Sequence, residues 1–286
     1  MNERIGITGA GQMGSGIAHV CALSGLSVLL HDISEAQLQR GLAAIKKNME
    51  RQLNKGTITE TAMNAALPLI RTVTDLNELK DSTIIIEAAP ENEDIKTEIF
   101  RKLDAIAGKN AILASNTSSI SITKLAAVTS RPDKVIGLHF MNPVPMMALV
   151  EVIRGFTTSD DTFSRVMALT SHIGKDPAVS QDYPAFIVNR LLIPMINEAI
   201  FALQEAISSP EDIDKAMKLG AGFPMGPLAL ADFIGLDTVL AIMKVLLDGF
   251  GDTKYRPAPL LVKLVEAGRL GKKTGHGIYN YQEAGK

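Results

Sequence analysis

A glycine triplet set between an apolar run and a helical pattern constrains this chain more than any other feature. Gly9-Ala10-Gly11-Gln12-Met13-Gly14 fits G-x-G-x-x-G, directly after Ile5-Gly6-Ile7. The first glycine permits a tight turn, the second lets a pyrophosphate approach the backbone, and the third lets helix and strand pack closely. The helix that follows presents exposed N–H groups and a positive dipole end to phosphate. Glycines alone are weak evidence, but Asp32 closes the next apolar run 18 residues past Gly14. A carboxylate there can bond both ribose hydroxyls and repels a 2′-phosphate, which favours NAD over NADP. Gly9, Gly11, Gln12, Met13, Gly14 and Asp32 are therefore the expected cofactor contacts.

The surrounding pattern agrees. Strand-like runs at Arg4–Gly9, Ser27–Asp32, Thr83–Ala88, Ala111–Ser115 and Lys134–Phe140 alternate with helical patterns at roughly 12–24, 34–55, 93–107 and 121–128. Such alternation predicts a parallel sheet with helices on both faces. Leu149–Arg154 reads as a further strand, close enough after His139 to return antiparallel. Beyond Asp182 the character changes. Phe186–Ala206 is apolar on nearly every face, which predicts burial on most sides, and Pro194 inside it predicts a kink. Helical stretches follow near 210–219, 227–248 and 259–267, and Asp182-Tyr183-Pro184 reads as a hinge. The expected architecture is an α/β Rossmann-type domain at 1–182 followed by an all-α C-terminal domain at 183–286.

Composition serves to exclude. Over 286 residues, 29 Lys+Arg against 31 Asp+Glu leave a net charge of −2, which argues against non-specific nucleic-acid binding. Cys21 is the sole cysteine, so an internal disulfide and a multi-cysteine metal site are out, and no metal is expected. No run reaches the roughly 18 apolar residues of a membrane span, and residues 1–10 lack the pattern of a signal peptide. A soluble, cytoplasmic protein is the expectation.

Ser34-Glu35-Ala36-Gln37 is a capping box and Gly56 a helix stop. Between them Leu38, Leu42, Ile45, Met49 and Leu53 form an apolar stripe, with Arg40, Lys47, Arg51 and Lys55 opposite. Those charges read either as a solvated face, their usual fate, or as a rim for a large anionic substrate.

Chemistry is expected beyond the carboxyl ends of the strands. Ser115-Asn116-Thr117-Ser118-Ser119 ends one strand with hydroxyl and amide groups, which serve either a ligand or a helix cap. His139 ends another. Asn142-Pro143-Val144-Pro145 then forces a turn, so the returning strand can set Glu151 beside His139. A carboxylate on one ring nitrogen fixes the tautomer and leaves the other to exchange a proton. Oxidation of a hydroxyl needs such a base as hydride leaves the carbinol carbon.

Several long segments resemble the L-3-hydroxyacyl-CoA dehydrogenases, nearly end to end. They are Ala-Ser-Asn-Thr-Ser-Ser-Ile at 114–120, Gly-Leu-His-Phe-Met-Asn-Pro-Val-Pro at 137–145, Leu-Val-Glu-Val-Ile at 149–153, Phe-Ile-Val-Asn-Arg at 186–190, Glu-Asp-Ile-Asp-Lys-Ala-Met-Lys-Leu-Gly at 211–220 and Gly-Lys-Lys-Thr-Gly-His-Gly-Ile-Tyr at 271–279. The single-function bacterial 3-hydroxybutyryl-CoA dehydrogenases are the most similar members. The resemblance implies that His139 is the general acid/base and Glu151 its orienting partner. Ser118, with Asn189, would bond the substrate 3-oxygen. Asn142 would lie near nicotinamide and thioester. Glu91, Lys96 and Lys273 would contact NAD, and Asn48 and Lys55 coenzyme A. The implied substrate is an acyl-CoA of the acetoacetyl-CoA/3-hydroxybutyryl-CoA kind, and the implied assembly a homodimer formed by the helical domain. Met141, Ala148, Ala185 and Pro90 depart from residues common in relatives without touching a chemical role. Three other readings are an NAD(P) dehydrogenase of free hydroxy acids, a catalytically silent, crystallin-like NADH-binding relative, and a nucleotide-binding regulatory module.

Overall fold

The computed structural model describes residues 3–282, which fall into two compact units, Met1–Tyr183 and Pro184–Lys286. The first unit runs β1 Arg4–Thr8, α1 Gln12–Leu23, β2 Ser27–His31, α2 Glu35–Asn54, α3 Glu60–Ala66, β3 Ile70–Val73, β4 Ile84–Glu87, α4 Glu93–Ile106, β5 Ile112–Ser115, α5 Ile122–Ala127, β6 Val135–Phe140, β7 Leu149–Arg154, α6 Asp160–His172 and β8 Asp176–Gln181. Its described strands form one eight-stranded sheet in the order β3-β2-β1-β4-β5-β6-β7-β8. Neighbouring strands are parallel except β6 and β7, which run antiparallel with His139 opposite Glu151. The order reverses between β1 and β4, so a crevice opens at the carboxyl ends of those two strands.

The central strands are buried on both faces. Every residue of β4, β5 and β6 is buried, as expected when helices cover both sides of a parallel sheet. The amphipathic reading of α2 holds: Leu38, Ile45 and Met49 are buried, while Arg40, Lys47, Arg51 and Lys55 are exposed. Only half of its capping box forms. The Gln37 N–H donates to Ser34 Oγ at 3.3 Å, but the Gln37 amide donates to the Ala10 carbonyl at 2.8 Å instead of turning back. The Ser34 N–H goes to Asp32 Oδ1 at 3.0 Å.

Four elements of this unit were not expected from the pattern: β3, β8, α3 and α6. The two strands lie at the sheet edges, where pairing on one side tolerates polar residues and proline. That explains Ile-Arg-Thr-Val in β3 and Pro177 in β8. A cap signal existed for α6, since Ser159 Oγ accepts from the Thr162 N–H and Asp160 and Asp161 fill the first turn.

The second unit holds α7 Val188–Gln204, α8 Pro210–Gly220, α9 Pro227–Ile234, α10 Leu236–Phe250 and α11 Pro259–Glu266. The single helix expected at 227–248 is two helices. Gly235, at φ +102°, breaks it between α9 and α10, a conformation that favours glycine. Pro194 lies inside α7. Burial of α7 on most sides is not what this chain provides. One face, with Ile193, Ile196, Asn197 and Ile200, is buried, while Leu191 is 68% exposed. Two buried carboxylates hold this unit together. Asp214 accepts from the N–H groups of Leu228 and Ala229 and from the Tyr279 hydroxyl at 2.8, 2.9 and 2.8 Å. Asp232 accepts from the N–H groups of Ile278 and Tyr279 and from the Tyr281 hydroxyl at 2.9, 2.9 and 3.1 Å. Burial, then hydrogen bonding to Asp214, pushes the Tyr279 pKa above its usual range, so this hydroxyl stays a donor.

Candidate active site

The turn between β1 and α1 is built for close approach. Gly9 sits at φ +104°, and a Cβ there would strike the Ala88 carbonyl. A Cβ on Gly14 would collide with the Gly9 carbonyl oxygen, whereas one on Gly11 would meet nothing within 4 Å. Gly9 and Gly14 thus close the turn, and Gly11 faces open space where a ligand's phosphates can reach the backbone. Beside it a cavity of about 770 Å³ is lined by Gly9, Gly11, Gln12, Met13, Asp32, Ile33, Ala88–Pro90 and Ile95, among others. A dinucleotide's adenosine half fits that size and mixed lining. Asp32 has a second task that spacing did not show. Its Oδ2 accepts the Ala10 N–H at 2.9 Å, so the carboxylate expected at the ribose also holds the glycine turn.

The serine turn after β5 is held by two glutamates. Glu87, at the end of β4, is fully buried. Its Oε1 accepts from Lys96 Nζ at 2.7 Å and from the Ala89 N–H at 2.6 Å, and its Oε2 accepts from Ser115 Oγ at 2.6 Å. Lys96 itself is only 1% exposed and also donates to the Ala89 carbonyl at 3.1 Å. Glu91 lies above this pair, 3.5 Å from Lys96 Nζ. Its Oε1 accepts from Thr117 Oγ1, the Ser118 N–H and Oγ, and the Ser119 N–H and Oγ at 2.5, 2.9, 3.2, 3.1 and 2.9 Å. Burial raises the Glu91 pKa, but the Lys96 cation and the bonds from Thr117, Ser119 and Ser118 outweigh it, and the net shift is downward. At the far end of the turn Asp182 accepts from Ser121 Oγ at 2.7 Å and from the N–H groups of Ile122 and Thr123 at 3.0 and 2.7 Å. The segment read as a hinge therefore also caps α5. Asn116 Oδ1 accepts the Phe140 N–H at 2.9 Å, tying the serine turn to the residue after His139.

His139 and Glu151 meet as the antiparallel return predicts. The Nδ1 of His139 lies 2.7 Å from Glu151 Oε2, with the histidine 8% and the carboxylate 0% exposed. A carboxylate can only accept, so Nδ1 carries the proton in this contact. The turn between their strands contributes Asn142, whose Oδ1 accepts from Gln12 Nε2 at 2.9 Å. A second cavity, about 260 Å³, lies between that turn, the glycine turn and α2, with Arg40, Asn48, Asn142 and Pro145 in its wall. Lys55 is exposed and does not line it.

In the second unit Asn189 is half-buried in the first turn of α7. Lys273 pairs with Asp237 at 2.6 Å. Reading by pattern passed over Glu87 and Lys175, and read Asp182 only as part of a hinge. For Glu87 a signal was present: a carboxylate ending a wholly apolar strand is buried at a price that only a partner offsets.

Among the described residues no helix is long and apolar enough to cross a membrane. Residues 4–183 match the family model described as 3-hydroxyacyl-CoA dehydrogenase, NAD binding domain, and residues 186–281 match the 3-hydroxyacyl-CoA dehydrogenase, C-terminal domain. The chain is 56% identical over 282 residues to a 3-hydroxybutyryl-CoA dehydrogenase of Bradyrhizobium diazoefficiens, covering 99% of this chain and 96% of that one. It is 43% identical to the human mitochondrial hydroxyacyl-coenzyme A dehydrogenase, covering 98% and 91%. The crystal structure of (S)-3-hydroxybutyryl-CoA dehydrogenase from Ralstonia eutropha superposes with a TM-score of 0.97 at 54% identity, covering 99% of this chain and all of that one.

Proposed function

The chain belongs to the 3-hydroxyacyl-CoA dehydrogenase family, and from that premise we propose how its residues carry the reaction. It is an NAD-dependent dehydrogenase acting reversibly on a 3-hydroxyacyl-CoA, of the 3-hydroxybutyryl-CoA type. The observation that carries the assignment of roles is the 2.7 Å contact between His139 Nδ1 and Glu151 Oε2, at the carboxyl edge of a sheet that also bears the glycine turn.

The glycine turn, Asp32 and the cavity beside them suit NAD, which when bound supplies or accepts a hydride equivalent at C3. Gly9, Gly11, Gln12, Met13 and Gly14 receive its pyrophosphate side and Asp32 its adenosine ribose. Glu91 belongs to its nicotinamide side, and Asn142, in the wall of the smaller cavity, to the place where nicotinamide and substrate thioester meet. Lys96, buried beneath Glu91, acts there by holding that carboxylate. Lys273 is assigned to the cofactor by the family resemblance alone.

In the oxidising direction neutral His139 takes the hydroxyl proton at Nε2, and Glu151 favours the imidazolium that forms. In the reducing direction the same imidazolium returns the proton to the 3-oxygen. Ser118 Oγ donates to that oxygen and so stabilises the charge developing on it. For this the hydroxyl turns from Glu91, whose remaining four donors keep the turn in place. Asn189 is given the same oxygen by resemblance. Asn48, in the wall of the smaller cavity, and Lys55, on the exposed face of α2, are assigned to coenzyme A. We further assign the second unit to a homodimer, with exposed Leu191 on α7 as an apolar contact, and the reaction to the cytoplasm.

The test compares acetoacetyl-CoA with free acetoacetate, using NADH. Oxidation of NADH by the thioester alone is the expected result. Turnover of the free acid would reassign the chain to the hydroxy-acid dehydrogenases, and NADH binding with no turnover of any acyl-CoA would reassign it to a silent NADH-binding relative.

A further inference from the structure

Lys175 has no place in the roles above, yet it is the kind of group a fold does not bury without cause. It sits between α6 and β8 and is 7% exposed. Its Nζ donates to the carbonyl oxygens of Val144 and Met147 at 2.6 and 2.7 Å. Among the described residues no carboxylate lies in ion-pair range of it. A buried ammonium without a counter-ion is costly, and two short charge-assisted bonds to carbonyls are what offset that cost here.

Both carbonyls belong to the turn joining the His139 strand to the Glu151 strand. That turn carries Asn142, whose side chain meets Gln12 of the glycine turn. It also walls the smaller cavity, opposite Arg40 and Asn48. The turn makes bonds of its own: the N–H groups of Met146 and Met147 donate to the Pro143 carbonyl at 3.0 and 3.1 Å. These close it locally but do not hold it to the sheet. Lys175 does, from a point 31 residues along the chain from Val144, beside the buried Val144 side chain and the Asp176 N–H bond to the Ala148 carbonyl at 2.9 Å. The His139–Glu151 pair does not depend on it, since β6 and β7 are joined by their own ladder from Gly137–Ile153 to Phe140–Val150.

We infer that Lys175 is a positioning residue for the dehydrogenase reaction: it clamps the Asn142–Met147 turn through two carbonyls and so sets the wall against which the acyl-CoA is aligned. The inference rests on the proposed assignment of Asn142 and of the smaller cavity to the substrate. Small displacements of such a wall cost rate because the reacting atoms leave their near-attack geometry.

Lys175→Met keeps the length and apolar stem and removes every donor. Lys175→Arg keeps a cation with several N–H groups for the same two carbonyls. The expected result is a fall of roughly 10- to 100-fold in kcat/KM for acetoacetyl-CoA in Lys175→Met. KM for NADH should stay within a few-fold of the parent, since among the described residues Asp32 and the backbone of the glycine turn make no bond to Lys175 and only the Gln12–Asn142 contact joins them to the clamped turn. Lys175→Arg should recover most of the loss. A general loss of folding would lower the active fraction and leave both KM values of the survivors unchanged, so this split separates positioning from mere stability. If Lys175→Met does not fold, Lys175→Gln takes its place, with an amide that can serve one carbonyl and an intermediate loss expected. Parent-like kcat/KM in the folded variant would overturn the inference. So would a loss that only tracks the folded fraction, or an arginine variant no better than the methionine or glutamine one. An inactive parent protein would instead overturn the proposed function.

Discussion

Both units bury carboxylates, but against different partners. In the sheet unit Glu151 faces the imidazole of His139, while Glu87 takes Lys96, Ser115 and the Ala89 N–H. In the helical unit Asp214 and Asp232 face backbone N–H groups and tyrosine hydroxyls from segments distant in sequence. The difference separates chemistry from architecture. A carboxylate on an imidazole orients a ring that can gain and lose a proton. A carboxylate on backbone amides gathers chain segments whose donors would otherwise be buried unpaired. Burial and charge alone do not tell the two apart; the nature of the donor does.

Paired substitutions sharpen the contrast. His139→Gln should lower kcat by about 10²–10⁴-fold with the thermal midpoint and NADH affinity retained, because only proton transfer is lost. Steady-state kinetics beside a melting curve checks this, and near-normal turnover would remove His139 from the role. Asp232→Ala should do the reverse. It leaves two N–H groups and a hydroxyl without their acceptor, at about 1–3 kcal/mol for each that stays buried and unpaired. A loss of roughly 2–4 kcal/mol in denaturant unfolding is expected, while the folded fraction keeps its kcat.

Glu91 stands between these cases, since it braces a turn by five hydrogen bonds and directly follows Ala88–Pro90 in the wall of the cavity proposed for NAD. Glu91→Gln should raise KM for NADH by about tenfold, the equivalent of ~1.4 kcal/mol. Its native pKa is depressed, so the stabilisation it contributes is full above the unfolded value of about 4.3 and is lost as pH falls through the native value. The stability gap between parent and Glu91→Gln should therefore be constant from neutral pH down to about pH 5 and shrink below about pH 4. A gap that widens on acidification would contradict the clamp. The smallest effect is expected at Lys55→Ala. Loss of one exposed cation should raise KM for acyl-CoA by about two- to fivefold and leave a pantetheine thioester unaffected. Equal effects on both substrates would return Lys55 to the solvated face.

Much of the candidate site is legible in the sequence. The glycine turn and Asp32 follow from motif and spacing, and the meeting of His139 with Glu151 from two strand-like runs around a proline turn. The basic face of α2 followed from a period of 3.6. Less legible were the edge strands β3 and β8, where pairing on one side relaxes the hydrophobic pattern, and the break at Gly235, which a lone glycine in an apolar helical run does not announce.

What the chain's order of residues determined by itself is whatever acts over a turn or two: helix caps, strand alternation, the glycine turn, the family-wide motifs. What only the tertiary structure decided is which distant groups share a buried charge. Glu87 with Ser115, and Lys175 with the Val144 and Met147 carbonyls, meet in the interior, while Glu91 with Ser118 and Ser119, and Asp182 with the start of α5, meet nearer the surface. No local period records such pairs. They exist because a charge taken out of water must be met by whatever donor or acceptor the fold brings alongside.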